Sequence, residues 1–275
     1  MPQCDKAAHR AVTAGHAASH CSRLIPTLCY GPRVIRWLVL VLALGFVGDA
    51  EARPKKKRAR HSKRVTRPAD PTATPAYRYG TLAPPTCIHE LRQREIPFAI
   101  EQPSLGVLAP VRITGPIRGI TFRTNQPAEL RATSRWEIAD CRLVLALDDF
   151  AQILARHDIV EVRHYSMWRP PRSWPEGKLA LQHAGAVAID TGRFLARDGA
   201  VLDVDDDFHG RIGAKTCGDG AKPRKVTPAS TKLRAILCET VDAGIFNIVL
   251  TPNFNRPHKN HFHLEITGAT WFLVH

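Results

Sequence analysis

Apolar and polar positions divide the chain into a short apolar run, a stretch without periodicity, and a long region of alternating elements. Residues 34–48, VIRWLVLVLALGFVG, form the strongly apolar run, and residues 53–76 carry no apolar period. From Tyr77 onward the pattern is that of a folded domain. Residues 107–123 hold short alternating apolar pieces broken by proline and glycine, which predicts a small β region. Over 137–156, Ile138, Leu143, Leu145, Phe150, Ile153 and Leu154 fall at helical spacing and predict an amphipathic helix. Strands are predicted over 160–165, 186–195 and 200–208, the last two joined by a turn at Arg197-Asp198-Gly199. A second helix fits 230–243, with Thr227 or Ser230 as N-cap and Gly244 as terminator. Strands over 245–251 and 261–267 complete the domain. Helices and strands mix without a regular βαβ rhythm, so the expected fold class is α+β: a mainly antiparallel sheet with flanking helices.

The apolar run changes the picture of where the chain works. Arg33 and Arg36 stand at its start and Ala50-Glu51-Ala52 follows it, the order of a secretory signal. The unbroken part from Trp37 to Gly48 is short for a bilayer-spanning helix. The expectation is a secreted or periplasmic product beginning near Arg53, with an uncleaved N-terminal anchor as the alternative. Domain organisation then reads as a signal region over 1–52, a basic flexible linker over 53–76 and one domain over 77–275.

The formal net charge of +14 points first to nucleic acid, but the charge is uneven. Residues 53–68 hold nine Lys or Arg and no acid, whereas the 207 residues after them carry a net charge of only +3. A nearly neutral folded part argues against a nucleic-acid-binding domain. The basic stretch reads as an electrostatic contact to anionic wall polymers or lipid surfaces, or as a plain solvated linker. A monomer is expected.

Four cysteines follow the apolar run: Cys87, Cys141, Cys217 and Cys238. An even number suits an oxidising compartment. Three pairings are open, and Cys87–Cys141 with Cys217–Cys238 is preferred because it closes the shorter loops; buried free thiols are the other reading.

Candidate chemistry gathers near the end, where residues 258–265 read HKNHFHLE. With a period of two, His261, His263 and Glu265 share one strand face, and Phe262, Leu264 and Ile266 share the other. Upstream, His183 and Asp190 stand seven residues apart across small residues that let the backbone approach a neighbour closely. A His, an Asp and a second His suit a catalytic Zn²⁺, whose open fourth position holds a water acidified from a pKa of about 15.7 to near 7.

HxxxxxxD followed far downstream by HxxHxH resembles the zinc peptidases related to D-alanyl-D-alanine carboxypeptidases, murein endopeptidases and the Hedgehog amino-terminal domain. Within that group the sequence is most similar to the bacterial extensin-like C-terminal domain family. Cys87, Pro110-Val111, Asp140-Cys141, an Arg-bearing strand before the His-Asp motif and the terminal HFHLE carry the likeness, over about residues 80–275. The resemblance implies a Hedgehog/DD-peptidase-like fold, with His183, Asp190 and His263 as zinc ligands and His261 as the catalytic base or transition-state stabiliser. It also implies Arg169 and His258 as substrate-binding residues in the same cleft. Glu265 stands where the family usually has Asp, either orienting a ligand histidine or serving as a salt-bridge residue. Two functions remain open: a zinc hydrolase that cuts an amide bond in peptidoglycan or another cell-wall polymer, and a wall-binding or structural module that keeps zinc without turnover.

Overall fold

A computed structural model describes residues 68–275. The predicted signal region and all of the basic linker before Pro68 lie outside the described residues. The described fold includes residues upstream of the expected boundary at Tyr77: Pro71 and Ala76 are buried, and a helical turn capped by Asp70 leads directly into the first helix. The helices are α1 (Pro75–Gly80), α2 (Pro84–Gln93), α3 (Ala128–Arg131), α4 (Cys141–Arg156), α5 (Val204–Asp207) and α6 (Pro228–Asp242). The strands are β1 (Phe98–Ile100), β2 (Pro110–Ile113), β3 (Thr121–Thr124), β4 (Ile138–Asp140), β5 (Ile159–His164), β6 (Ala188–Ala196), β7 (Val201–Asp203), β8 (Ile248–Leu250), β9 (Phe262–Glu265) and β10 (Leu273–Val274).

The α+β class holds, and the sheets are mainly antiparallel but mixed. A small antiparallel sheet has the order β1-β2-β4, and a large one the order β10-β8-β9-β6-β5-β3, with β7 also paired to β6. Two pairs in the large sheet are parallel, β3 with β5 and β8 with β10. The small β region expected over 107–123 is present as β2 and β3, which enter different sheets.

Helix α4 shows why the sequence pattern set its start too early. Asp140 is fully buried, and its carboxylate accepts from the Arg142 amide at 3.1 Å, capping the helix. It also accepts from the amides of Leu108 and Ala109, while Ile138–Asp140 pairs with β2. A helical stripe and a buried strand both place apolar residues at 138, and the cap decides between them. From Cys141 on, α4 is apolar on most of its surface and packs among α1, α2, α6 and β5 as the central core helix. The Asp-Cys pair thus has a structural role: a cap beside a disulfide. Both expected disulfides are present, Cys87–Cys141 joining α2 to α4 and Cys217–Cys238 joining a long loop to α6.

The other expected elements need smaller corrections. The strand over 200–208 stops at Asp203, whose side chain accepts from the Asp205 amide and turns the chain into α5. The turn before it forms as expected, with Gly199 at φ 87°. Helix α6 starts at Pro228 with a capping box, in which Thr227 and Ser230 each accept from the other's amide.

At the end of β5, His164 forms a buried pair with Glu137, whose Oε2 is 3.3 Å from His164 Nε2. Glu137 Oε1 also accepts from the amide and hydroxyl of Thr124, at 2.8 and 2.7 Å. Burial pushes the Glu137 carboxyl up, but His164 and Thr124 outweigh it and hold it down at about 2, against an ordinary value of 4.5. The ionised carboxylate therefore stabilises the fold above pH 4.5, and that contribution disappears as pH falls from 4.5 towards 2. Glu137→Gln is expected to destabilise the protein by about 3 kcal/mol at pH 7. The gap from wild type should narrow on acidification, as checked by urea denaturation at pH 7 and pH 3; a gap independent of pH would contradict the assignment.

Candidate metal centre

Three elements supply the candidate ligands. Antiparallel pairing of β6 with β9 sets Asp190 directly opposite His263. His183 lies on a 3-10 turn, Gln182–Gly185, immediately before β6. That turn is tight: a Cβ on Gly185 would sit 1.9 Å from the Ala180 carbonyl oxygen, so glycine is required there. Gln182 and Ala186, flanking it, have φ of 55° and 53°, strained for residues with side chains. The expectation that small residues after His183 permit close backbone approach is met at Gly185.

The geometry converges on one carboxylate oxygen. Asp190 Oδ1 lies 2.9 Å from His263 Nδ1, 3.0 Å from His183 Nε2 and 3.4 Å from His261 Nε2. Asp190 Oδ2 is paired with the Arg169 guanidinium, which also donates through Nε to Ser166 Oγ at 2.9 Å. His183, Asp190 and His263 are all buried, with ligand atoms mutually within 4.8 Å. Burial raises the Asp190 carboxyl, but His183 and His263 alongside override it and hold the group well below the usual carboxylate range. Burial also lowers His263, but Asp190 and Glu265 reverse this and lift it to about 9.

These residues fit a metal ion on the evidence of His183. Its Nδ1 is 3.1 Å from the Met167 carbonyl oxygen, which accepts the ring proton and leaves a lone pair on Nε2. Nε2 is buried and makes no well-aligned hydrogen bond, although Asp190 Oδ1 is close. Two electron-rich atoms held side by side in a buried site are what a cation relieves. Glu265 supports the arrangement from behind. Its Oε1 accepts from the Gln182 amide at 3.1 Å, and its Oε2 is 3.3 Å from His263 Nε2, so it ties the two ligand-bearing segments together.

The remaining expected site residues surround this cluster. His261 Nδ1 meets Asn260 Oδ1 at 2.9 Å, and its ring packs edge-on against Tyr165. Burial lowers the His261 imidazole to about 4, partly opposed by Asp190, so it is neutral at pH 7. His258 Nδ1 lies 2.6 Å from Asn255 Oδ1, and burial with the nearby His263 lowers its pKa. Arg169, His258 and His261 line one cleft of 460 Å³ with the three candidate ligands. Arg169 is half-exposed, and its side chain contacts Ser166 and the candidate ligand Asp190.

Sequence reasoning missed another part of that cleft's lining. Ile248 and Leu250 on β8, Leu273 on β10, Phe254 and Trp271 make it apolar. It also missed Asn255 and Asn260, whose carboxamides fix the His258 and His261 rings. Their immediate neighbourhood to the histidines was the available signal.

Among the described residues, no helix is long and apolar enough to cross a membrane. No curated protein and no solved structure matches the chain. A family match does exist, to the family described as "Extensin-like protein C-terminus", over residues 86–272. It spans both disulfides, the His183–Asp190 segment and HFHLE, and the chain therefore belongs to the extensin-like C-terminus family.

Proposed function

We propose that the protein is an exported zinc-dependent hydrolase that cuts an amide bond in peptidoglycan peptides, with a Hedgehog/DD-peptidase-like arrangement of its large sheet. The observation that carries this reading is the division of labour around Asp190. Three buried groups form a ligand set, and a fourth, His261, stands beside them at the open cleft without being needed to complete it. Zn²⁺ held by His183, Asp190 and His263 would supply Lewis acidity and an acidified water.

The chain's own residues account for the rest. Asn260 accepts the His261 Nδ1 proton, leaving Nε2 with a lone pair, so the neutral imidazole can take up a proton and, once protonated, donate to a developing oxyanion. Arg169 neutralises Asp190 and keeps its second oxygen away from the histidines. The polar wall suits the amide group, and the apolar wall of Ile248, Leu250, Phe254 and Leu273 suits a small aliphatic side chain next to it.

Incubating the purified chain with isolated sacculi, with and without chelator, tests the reading. Chelator-sensitive release of muropeptides is expected. Stoichiometric zinc without any release would favour a wall-binding module instead. His261→Ala should keep its zinc and lose about 10²–10⁴-fold in turnover; loss of zinc in that variant would make His261 a ligand rather than a catalytic neighbour.

A further inference from the structure

Residues 209–225, between α5 and α6, read HGRIGAKTCGDGAKPRK and carry five Lys or Arg, one His and a single acid, Asp219. A loop of that composition ordinarily stays solvated and repels itself. Here it is built onto the fold. Asn253 is fully buried; its Oδ1 accepts from the Arg211 amide at 2.8 Å, and its Nδ2 donates to Thr216 Oγ1 at 3.1 Å. The Gly213 amide donates to the Asn253 carbonyl at 2.7 Å, and a Cβ on Gly210 would lie 2.7 Å from Asn253 Oδ1. The Arg224 amide closes the loop by donating to the His209 carbonyl at 2.9 Å, and Cys217–Cys238 pins its middle. His209 is held at φ 49°, a conformation that costs about 1–3 kcal/mol and persists only where the surroundings impose it.

Residues 209–212 and Arg224 of this loop, with Asp205, Pro252 and Lys259, line a second, open cavity of 520 Å³, separate from the metal cleft. Arg211, Arg224 and Lys259 line it together with His209, against one carboxylate. Among the described residues, the ion pair within it is Lys259 with Asp205 at 3.5 Å. Arg211 and Arg224, both exposed, thus line a common space on a fixed backbone, and among the described residues the one carboxylate lining it, Asp205, is paired with Lys259. Planar guanidiniums in that arrangement recognise a carboxylate or phosphate by paired charge-assisted hydrogen bonds. The cavity also adjoins the candidate centre: on one short turn, His258 lines the metal cleft and the next residue, Lys259, lines this cavity.

We infer that this cavity is an anion-binding subsite that takes a carboxylate or phosphate group. That the anion belongs to the polymer cut in the neighbouring cleft rests on the hydrolase reading; the binding itself does not. Calorimetric titration of the full chain at low ionic strength tests it, with inorganic phosphate in one arm and glutarate in the other. Saturable binding of at least one probe is expected, and the tighter arm identifies the source as a phosphodiester or a carboxylate. The double variant Arg211→Gln/Arg224→Gln should weaken that binding by about tenfold or more. The double variant Lys222→Gln/Lys225→Gln removes equal charge from the same loop outside the cavity and should leave binding within about twofold. Failure of both probes to saturate would overturn the subsite, as would equal loss in the two double variants, which marks diffuse attraction. Undiminished phosphate binding in Arg211→Gln/Arg224→Gln would also overturn it, because the anion then sits at the metal centre. Each outcome is read without turnover, so it is distinguishable from failure of the hydrolase reading.

Discussion

On the proposed zinc reading, replacing Asp190 by asparagine is expected to strip the metal from the purified chain while leaving it folded. The substitution is nearly isosteric but removes the one negative charge on which His183, His261, His263 and Arg169 converge. In wild type those groups hold the carboxyl ionised against its burial. In the variant, a cation entering the site meets a neutral amide with the Arg169 guanidinium behind it, so electrostatics as well as a ligand are lost. If three ligands share a binding free energy of about 10 kcal/mol, losing one costs roughly 3 kcal/mol or more, at least about 10²-fold in affinity. Glu265→Gln, which loosens the support behind His263 but spares all three ligands, should cost about 10–100-fold. Elemental analysis after dialysis at fixed free zinc, with a competitive chelator titration, measures both. His183→Ala provides a second ligand deletion should Asp190→Asn fold poorly. Zinc retained at wild-type affinity in either ligand variant would dispose of the centre.

The candidate cluster was legible because each half of it is local in sequence. His261 and His263 alternate along one strand face, and His183 with Asp190 brackets a run of small residues. The pairing of the halves was not readable from spacing, since it depends on the β6–β9 register across 73 residues. Family resemblance supplied it. The apolar wall was hidden for a different reason: Ile248 and Leu250 carry the same signature as any buried strand, and nothing in the sequence says that one face of β8 lines a cleft. The parallel pairs β3–β5 and β8–β10 join segments too far apart for pattern to reveal. Asp140 illustrates the limit of periodicity at element ends. Its neighbours suit helix or strand equally, and the decision comes from amides of Leu108 and Ala109, some thirty residues away. The second cavity was equally out of reach, because its cations come from both the 209–225 loop and the turn after β8.

Removing the two disulfides separately should have unequal consequences. Cys87–Cys141 spans 54 residues and Cys217–Cys238 spans 21. Loop-closure entropy alone assigns the first about 4 kcal/mol and the second about 3 kcal/mol. Position widens the difference. Cys87 and Cys141 are fully buried, and Cys141 opens α4 directly after the Asp140 cap, so truncating the pair leaves a void beneath the central core helix. Cys217 lies on the cationic loop, where Asn253 still holds the backbone after the covalent link is gone. Cys87→Ala/Cys141→Ala is therefore expected to lower the urea midpoint substantially, and to weaken zinc retention only when unfolding begins. Cys217→Ala/Cys238→Ala should shift the midpoint less, keep zinc, and loosen the 209–225 loop, seen as faster amide exchange at Arg211 and Gly213. Equal midpoints for wild type and Cys87→Ala/Cys141→Ala would mean that packing around α4 sets the stability without the crosslink. The proposal of export would then lose the support it draws from this crosslink, because a fold indifferent to it needs no oxidising compartment to form it.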